Sequence, residues 1–307
     1  MSAGGGTKAI LAALAANAGI AVAKFGGFLF TGSSSMLAES VHSLADTSNQ
    51  GLLLLGQKTS QRKASEEHPF GYGRDRYFYS FVVALMLFTL GSVFALYEGI
   101  HKIQHPEPLE SAWVAVLILV IAIGLETYSF LTAIKESRAI KGELTWWQFI
   151  RQSKTPELPV VLLEDLGALV GLVLALGGVG LTVLTGNAVF DGIGTACIGV
   201  LLGVIAVVLI VETKSLLIGE GARREVLDEI VGQVESERVE RVIHIRTQYL
   251  GPDELLIAAK ICFTESLSVA EVAAEIDGAE KRIRANVPAA RLIYLEPDLD
   301  RGRTITA

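Results

Sequence analysis

Polar and ionisable side chains recur along one face of an otherwise apolar stretch of the chain. Ser35, Glu39, His42, Asp46 and Asn49 are separated by 4, 3, 4 and 3 residues, the spacing of one face of a helix. His42 and Asp46 stand at positions i and i+4, so an imidazole nitrogen and a carboxylate oxygen can converge on one metal ion. Taken alone, such a pair is more often hydrogen-bonded across a helix interface than bound to metal.

A second apolar stretch carries two adjacent carboxylates, Glu164 and Asp165, within VVLLEDLGALVG. Adjacent residues of a helix point about 100° apart, so both can face one ion only awkwardly, and Asp165 is the better candidate ligand. Glu126, in another apolar stretch, is a candidate fourth ligand or proton carrier. One histidine with two or three carboxylates suits Zn²⁺ and also Mn²⁺, Fe²⁺ or Co²⁺.

The composition predicts a membrane protein. Of the 307 residues, 51% are hydrophobic and 19% charged, which is more apolar than a typical soluble domain. A bilayer core about 30 Å thick needs roughly 20 consecutive apolar residues per helix. Six stretches approach that length: 9–30, 36–57, 79–103, 112–134, 158–184 and 189–211. Charged side chains inside such spans cost ~2.5–3.5 kcal/mol each on insertion scales, so the polar groups above predict a functional site.

The charge pattern predicts the orientation of these spans. Positive residues concentrate in two links, whereas the stretches 31–35, 104–111 and 185–188 contain no Lys or Arg. The positive-inside rule therefore places both termini in the cytoplasm. The net charge of −7 hides this asymmetry and does not indicate a nucleic-acid partner. The positive residues are Lys58, Arg62, Lys63, Arg74 and Arg76 in one link, and Lys135, Arg138, Lys141, Arg151 and Lys154 in the other.

The chain divides into a six-helix transmembrane domain, 1–211, and a soluble domain, 212–307, where the charge density rises. Within the soluble domain we predict a ferredoxin-like αββαβ sandwich. Its predicted elements are a helix at 223–235, strands at 239–248 and 254–264, a helix at 268–286 and a strand at 290–296. In the first strand Ile243 and Ile245 should share one face, opposite His244 and Arg246.

Glycines at four-residue spacing predict close helix packing in the last two spans. Gly167 and Gly171 form one such pair, and Gly199 and Gly203 form another. Small residues at this spacing let two helix backbones approach closely, so we interpret both pairs as packing contacts.

The motifs together resemble the cation diffusion facilitator family over nearly the whole chain. They are the polar LAESVHSLADTSNQ in span two, HPFGYGR before span three, an acidic span five, DGIGTACIG in span six and a ferredoxin-like tail. The resemblance implies a homodimer in a lipid membrane that exports Zn²⁺, or Fe²⁺, Mn²⁺ or Co²⁺, from the cytoplasm in exchange for protons. It implies alternating access, no prosthetic group and no enzymatic activity, with the cell membrane as the expected location.

Carried over by position, the transport site would comprise His42, Asp46 and Asp165. The fourth family position falls on Val161, where zinc carriers of this family usually have a His or Asp. Glu164, Asn49, Glu126 or water could supply the missing ligand. The expected site residues are therefore His42, Asp46, Asp165, Glu164, Asn49 and Glu126.

Two accessory metal sites of the family lack some of their usual ligand residues in this chain. Before span three, Ser65, His68 and Tyr72 stand where the family often has an acidic residue and two histidines. In the tail, His244 matches the family pattern, but the other positions hold Lys260, Tyr294 and Glu296. We therefore predict no binuclear metal centre in the tail, which should act mainly in dimerisation.

Proton coupling follows from the proposed ligands. Metal ligands must be deprotonated to bind, so binding an ion to His42 and carboxylates releases protons. One alternative is a proton-coupled carrier of an organic cation, in which Asp46 and Asp165 bind protons and substrate without metal. An intramembrane enzyme is a further alternative, but the chain has no HExxH or GxSxG motif.

Overall fold

A computed structural model describes residues 4–31, 34–106 and 112–301, although several side chains in the first two helices, including that of His42, lie outside its description. It divides the chain into two compact units, residues 1–59 with 75–214, and residues 60–74 with 215–307. The helices of the first unit are α1 Gly4–Thr31, α2 Ser34–Thr59, α3 Asp75–Met86, α4 Phe94–Gln104, α5 Ala112–Lys141, α6 Trp146–Gln152, α7 Glu157–Thr185 and α8 Val189–Ile218.

Four of these segments are long and apolar enough to cross a bilayer, within the part of the chain that the structure describes. They are Asp75–Gln104, Trp113–Lys141, Glu157–Thr185 and Val189–Ile218. The first combines α3, a π-helical turn at Leu87–Val93 and α4 in one continuous segment. The predicted count of six spans, which adds α1 and α2, stays a prediction.

Apolar side chains cover the outer face of α5. Leu117 is 51% exposed, Val120 53% and Leu131 58%. Large exposed apolar surface of this kind is rare on soluble monomers, and a helix suits the bilayer because its backbone hydrogen bonds are satisfied internally. The chain is therefore a multi-pass integral membrane protein.

The predicted glycine contacts are confirmed. A Cβ atom on Gly199 would lie 2.7 Å from the backbone nitrogen of Leu96, and one on Gly167 would lie 2.8 Å from Ile205 Cδ1. Ser92, in the π-helical turn, donates from Oγ to the carbonyl oxygen of Gly199 at 2.8 Å. The absence of a side chain thus lets α8 approach α4 and α7 closely.

Four helices pack around the polar residues. Helix α1 contacts α2, α5 and α7, and α5 contacts α7. An apolar cluster lines the same interfaces and includes the fully buried Ile10, Leu53 and Val161. The side chains that face inward from these helices are therefore shielded from the surroundings.

The second unit has the predicted αββαβ order. Its elements are α9 Arg224–Val234, β1 Val239–Gly251, β2 Glu254–Phe263, α10 Val269–Asn286 and β3 Ala290–Pro297. Strand β1 pairs antiparallel with β2, and β2 pairs parallel with β3, giving the order β1-β2-β3. Ile230 of α9 and Ile283 of α10 are fully buried in the core with Ile257 of β2.

One detail of the predicted β1 is wrong. Val242 and Ile245, rather than Ile243 and Ile245, pack against the core. The β1–β2 register shifts between Val242 and His244, and such an irregularity changes the strict alternation of side chains. A prediction based on a period of two could not include this shift.

Candidate cation site

Helix α2 carries the residues with which the sequence analysis began. The predicted helix is confirmed, and it runs without a break from Ser34 to Thr59. Asp46 is partly buried and Asn49 is almost fully buried. The backbone of His42 lies in this helix, but its side chain is outside the described part, so its role as a ligand stays a prediction.

Glu164 of α7 is a buried carboxylate that accepts hydrogen bonds from two amide side chains. It is 5% exposed. Asn49 donates from Nδ2 to its Oε1 at 3.0 Å, and Gln50 donates from Nε2 to its Oε2 at 3.1 Å. Asn17 of α1 donates from Nδ2 to Gln50 Oε1 at 3.3 Å. Amide side chains from two helices therefore orient a carboxylate of a third.

Asp165, the adjacent residue, is held by a different helix. It is 1% exposed and accepts a hydrogen bond on Oδ2 from Ser129 Oγ at 2.7 Å. Ser129 lies on α5 three residues after Glu126, so both side chains project from nearly the same face of that helix. Glu126 is also buried, with 3% exposure.

The carboxylates of this region come from three helices that pack together. Asp46 lies on α2, Glu126 on α5, and Glu164 and Asp165 on α7. Like charges brought together in a low-dielectric region repel, unless cations or protons compensate them. The burial of these carboxylates therefore favours a cation or protons that compensate their charge.

The described side chains do not form a closed metal site. Among them, no three His, Cys, Asp or Glu residues are placed so that they could hold a metal ion. Val161, at the fourth family position, is fully buried in the apolar core and offers no ligand atom. Asn49 Oδ1 is buried and has no hydrogen-bond partner, so an amide oxygen stands ready beside Glu164.

Three residues of this site were not singled out by the sequence analysis: Asn17, Gln50 and Ser129. A signal for two of them was present. Asn17 is a strongly polar residue within an apolar stretch, and Gln50 follows Asn49 at the end of the polar face of α2. Ser129 gave little signal, because a hydroxyl in a membrane helix commonly bonds to its own backbone.

The accessory positions before α3 contact one another. Ser65 Oγ and Tyr72 Oη lie 3.2 Å apart, and His68 donates from its backbone N–H to Ser65 Oγ at 3.1 Å. The rings of His68 and Tyr72 are 4.5 Å apart between centroids. Through these contacts His68 helps to hold the conformation of the segment before α3.

Three of the four accessory positions of the tail lie in one row across the sheet. His244 pairs with Lys260, and Lys260 pairs with Glu296 on the next strand. Lys260 Nζ donates to Glu296 Oε1 at 3.3 Å and to Asp298 Oδ2 at 2.8 Å. These two carboxylates raise the pKa of Lys260, so a stable ammonium stands at this position.

Long apolar helices around a buried group of carboxylates and amides define a polytopic membrane transporter. Residues 10–218 match the model of the cation efflux transmembrane domain. The chain thus belongs to the cation efflux family, the cation diffusion facilitators. Members of this family are transporters and not enzymes, which confirms the sequence prediction on that point.

Relatives of known name match along the chain. It is 34% identical over 260 residues to the mouse protein named proton-coupled zinc antiporter SLC30A9, mitochondrial, covering 83% of this chain and 46% of that protein. It is 28% identical over 265 residues to metal tolerance protein C4 of Arabidopsis thaliana, covering 85% and 58%. It is 32% identical over 148 residues to the cation-efflux pump FieF of Klebsiella pneumoniae, covering 46% and 49%. The chain thus spans about half the length of these relatives.

Proposed function

We propose that this protein exports a divalent metal cation, with Zn²⁺ as the first choice, in exchange for protons. The observation that carries the proposal is a group of carboxylates at the helix interfaces: Glu126, Glu164 and Asp165 are at most 5% exposed, and Asp46 is partly buried. Their combined negative charge attracts a cation, and carboxylates also accept protons. A relative named as a proton-coupled zinc antiporter supports the same cargo and counter-ion.

The proposed ligands are His42, Asp46 and Asp165, with a fourth from Glu164 or Asn49. Oxygen donors dominate this set, and one imidazole adds a borderline ligand. Such a set suits Zn²⁺ but also accepts Mn²⁺, Fe²⁺ and Co²⁺. Competition among these ions in uptake assays would rank them.

We propose a homodimer with both termini in the cytoplasm, located in the cell membrane. The orientation is supported by the positive links between the predicted spans. One relative is named mitochondrial, so fractionation of the native cells is the appropriate test of location. Cross-linking of the purified full chain would report the oligomeric state.

The test of function uses the full chain in proteoliposomes that contain a zinc indicator and a pH indicator. We expect Zn²⁺ uptake to move protons in the opposite direction. His42→Ala and Asp46→Ala should both abolish the coupled flux. Undiminished flux in both variants would refute the metal site. Transport of an organic cation without any metal would establish the alternative carrier instead.

A further inference from the structure

Two side chains outside the proposed ligand set, Asn17 and Gln50, form a chain of hydrogen bonds that ends on Glu164. Gln50 is fully buried and uses both ends of its amide: Oε1 accepts from Asn17 and Nε2 donates to Glu164. We propose that Gln50 and Asn17 are positioning residues of the cation site, which fix Glu164 as the ligand that replaces the side chain missing at Val161. The inference rests on the proposed function.

The Gln50 amide has two chemically different ends, and its hydrogen-bond partners decide which end faces Glu164. An amide can present either its oxygen or its NH₂ group to a neighbour, and only the NH₂ group attracts a carboxylate. Because Asn17 donates to Gln50 Oε1, that oxygen is directed toward α1 and the NH₂ group toward Glu164. Without Asn17, the amide loses the contact that selects this orientation.

The Glu164 carboxylate keeps lone-pair positions to which a cation can bind. An ionised carboxylate offers about four lone-pair positions on its two oxygens. Asn49 and Gln50 each occupy one position, on different oxygens, so each oxygen keeps capacity for a cation. Amide donors orient the group without ionising, so its charge stays available. Asn49 Oδ1, buried without a hydrogen-bond partner, adds a neutral oxygen on the same side chain that holds Glu164.

The adjacent carboxylate, Asp165, is held by a different helix from the one that holds Glu164. Glu164 and Asp165 point about 100° apart on α7, and each is held by its own donors. Ser129 on α5 holds Asp165, whereas Asn49 and Gln50 on α2 hold Glu164. Two neighbouring residues can therefore serve one site only if the longer Glu164 is bent toward it. The Asn17 and Gln50 contacts supply that constraint.

The experiment measures Zn²⁺ uptake by the full chain in proteoliposomes as a function of Zn²⁺ concentration. Gln50→Leu should raise the KM for Zn²⁺ about tenfold, with a smaller change in maximal rate, because a hydrogen bond to a charged ligand is lost. Asn17→Leu should raise KM about threefold, since it removes only the support of Gln50. If Gln50→Leu does not fold, Asn17→Leu provides the same test.

A double variant distinguishes positioning from general packing. In a Glu164→Gln background, Gln50→Leu should cause no further rise in KM, because the two residues act through one contact. Thr47→Val is the matched control, because Thr47 Oγ1 donates to the Ser43 carbonyl oxygen of its own helix at 2.9 Å, and its KM should equal that of the wild type.

An unchanged KM in Gln50→Leu, or an equal rise in the Glu164→Gln background, would overturn the inference. The proposed function fails separately: it would be refuted if Asp46→Asn and Asp165→Asn both retained zinc transport. The two outcomes are distinguishable, because a failure of the positioning inference alone still leaves Asp46→Asn and Asp165→Asn without zinc transport.

Discussion

Arg76 and Glu157 form a buried ion pair between the first turns of α3 and α7. Arg76 donates from Nε to Glu157 Oε1, and from Nη2 to Oε2 at 2.9 Å. The two side chains are only 8% and 1% exposed. We predict that Arg76→Met and Glu157→Leu both destabilise the protein, and that the Glu157 variant is the worse of the two.

The magnitude follows from what each variant leaves behind. Removing one partner of a buried ion pair costs about 3–5 kcal/mol, because the other charge stays uncompensated. Both residues lie at helix N-termini, where the helix dipole stabilises a negative charge by ~0.3–1 kcal/mol, up to ~2 when partly buried, and disfavours a positive one. We therefore expect ~3 kcal/mol for Arg76→Met and ~5 kcal/mol for Glu157→Leu. The double variant should cost less than either, since an apolar pair leaves no buried charge.

The assay is reversible unfolding of the purified full chain in mixed micelles, followed by circular dichroism while the denaturing detergent fraction is raised. The three variants and the wild type are compared at one protein concentration. Equal losses in the two single variants would refute the role assigned to the helix dipoles. A double variant as unstable as the sum of the two would show that the pair is not coupled.

Three further substitutions test other parts of the fold. Gly99→Ala should cost about 1–3 kcal/mol through overpacking, since its Cβ would lie 2.5 Å from the backbone nitrogen of Ala196, and thermal unfolding measures it. Gly219→Ala should cost roughly 1–2 kcal/mol, because Gly219 has φ of +113°, and denaturant unfolding measures it. Hydrogen bonds from Ser268 lower the pKa of Glu271. The stability that the ionised side chain contributes is therefore present at pH values above the unperturbed pKa of about 4.3, and it is lost as the pH falls below that value through the lowered pKa. Hydrogen exchange of α10 should show this loss, and Glu271→Gln should remove it.

Much of the soluble unit could be predicted from local patterns. The start of α10 follows from Ser268 and Glu271, which form a capping box that the structure contains. The turn between β1 and β2 follows from glycine, proline and aspartate in sequence. The register shift within β1 could not be predicted, because it depends on how two strands pair and not on the composition of one.

The π-helical turn at Leu87–Val93 gave no sequence signal. Its residues are as apolar as those around them, and an apolar run in a membrane segment predicts an α-helix. The contact of Ser92 with the carbonyl oxygen of Gly199 is made between residues 107 positions apart, and only the packed structure reveals it. A π-helical turn changes the direction of every following side chain, so positions in α4 cannot be assigned from the period of α3.

The helical period predicts which side chains of α2 share a face, but not which carboxylate of α7 they meet. It placed Asp46 and Asn49 on one face of α2, but it ranked Glu164 below Asp165 because adjacent residues diverge. The structure gives Glu164 the larger set of hydrogen-bond donors, since Asn49 and Gln50 both reach it despite their own divergence. Gln50 can do so because its side chain is one methylene longer. Periodicity describes directions from a helix axis, and side-chain length decides which groups meet.

Helix α7 connects the ion pair and the site mechanically. Glu157 and Glu164 are seven residues apart, which is about 10 Å along one face of the helix, with Val161 in the apolar core between them. Breaking the buried ion pair with α3 costs about 3–5 kcal/mol, and the two hydrogen bonds that Glu164 accepts from α2 contribute about 1.5–3 kcal/mol each, so the two contacts are similar in strength. The first turns of α7 are therefore tied to α3 and to α2 with comparable strength, and a displacement of α7 from either helix would also move Glu164, the proposed ligand.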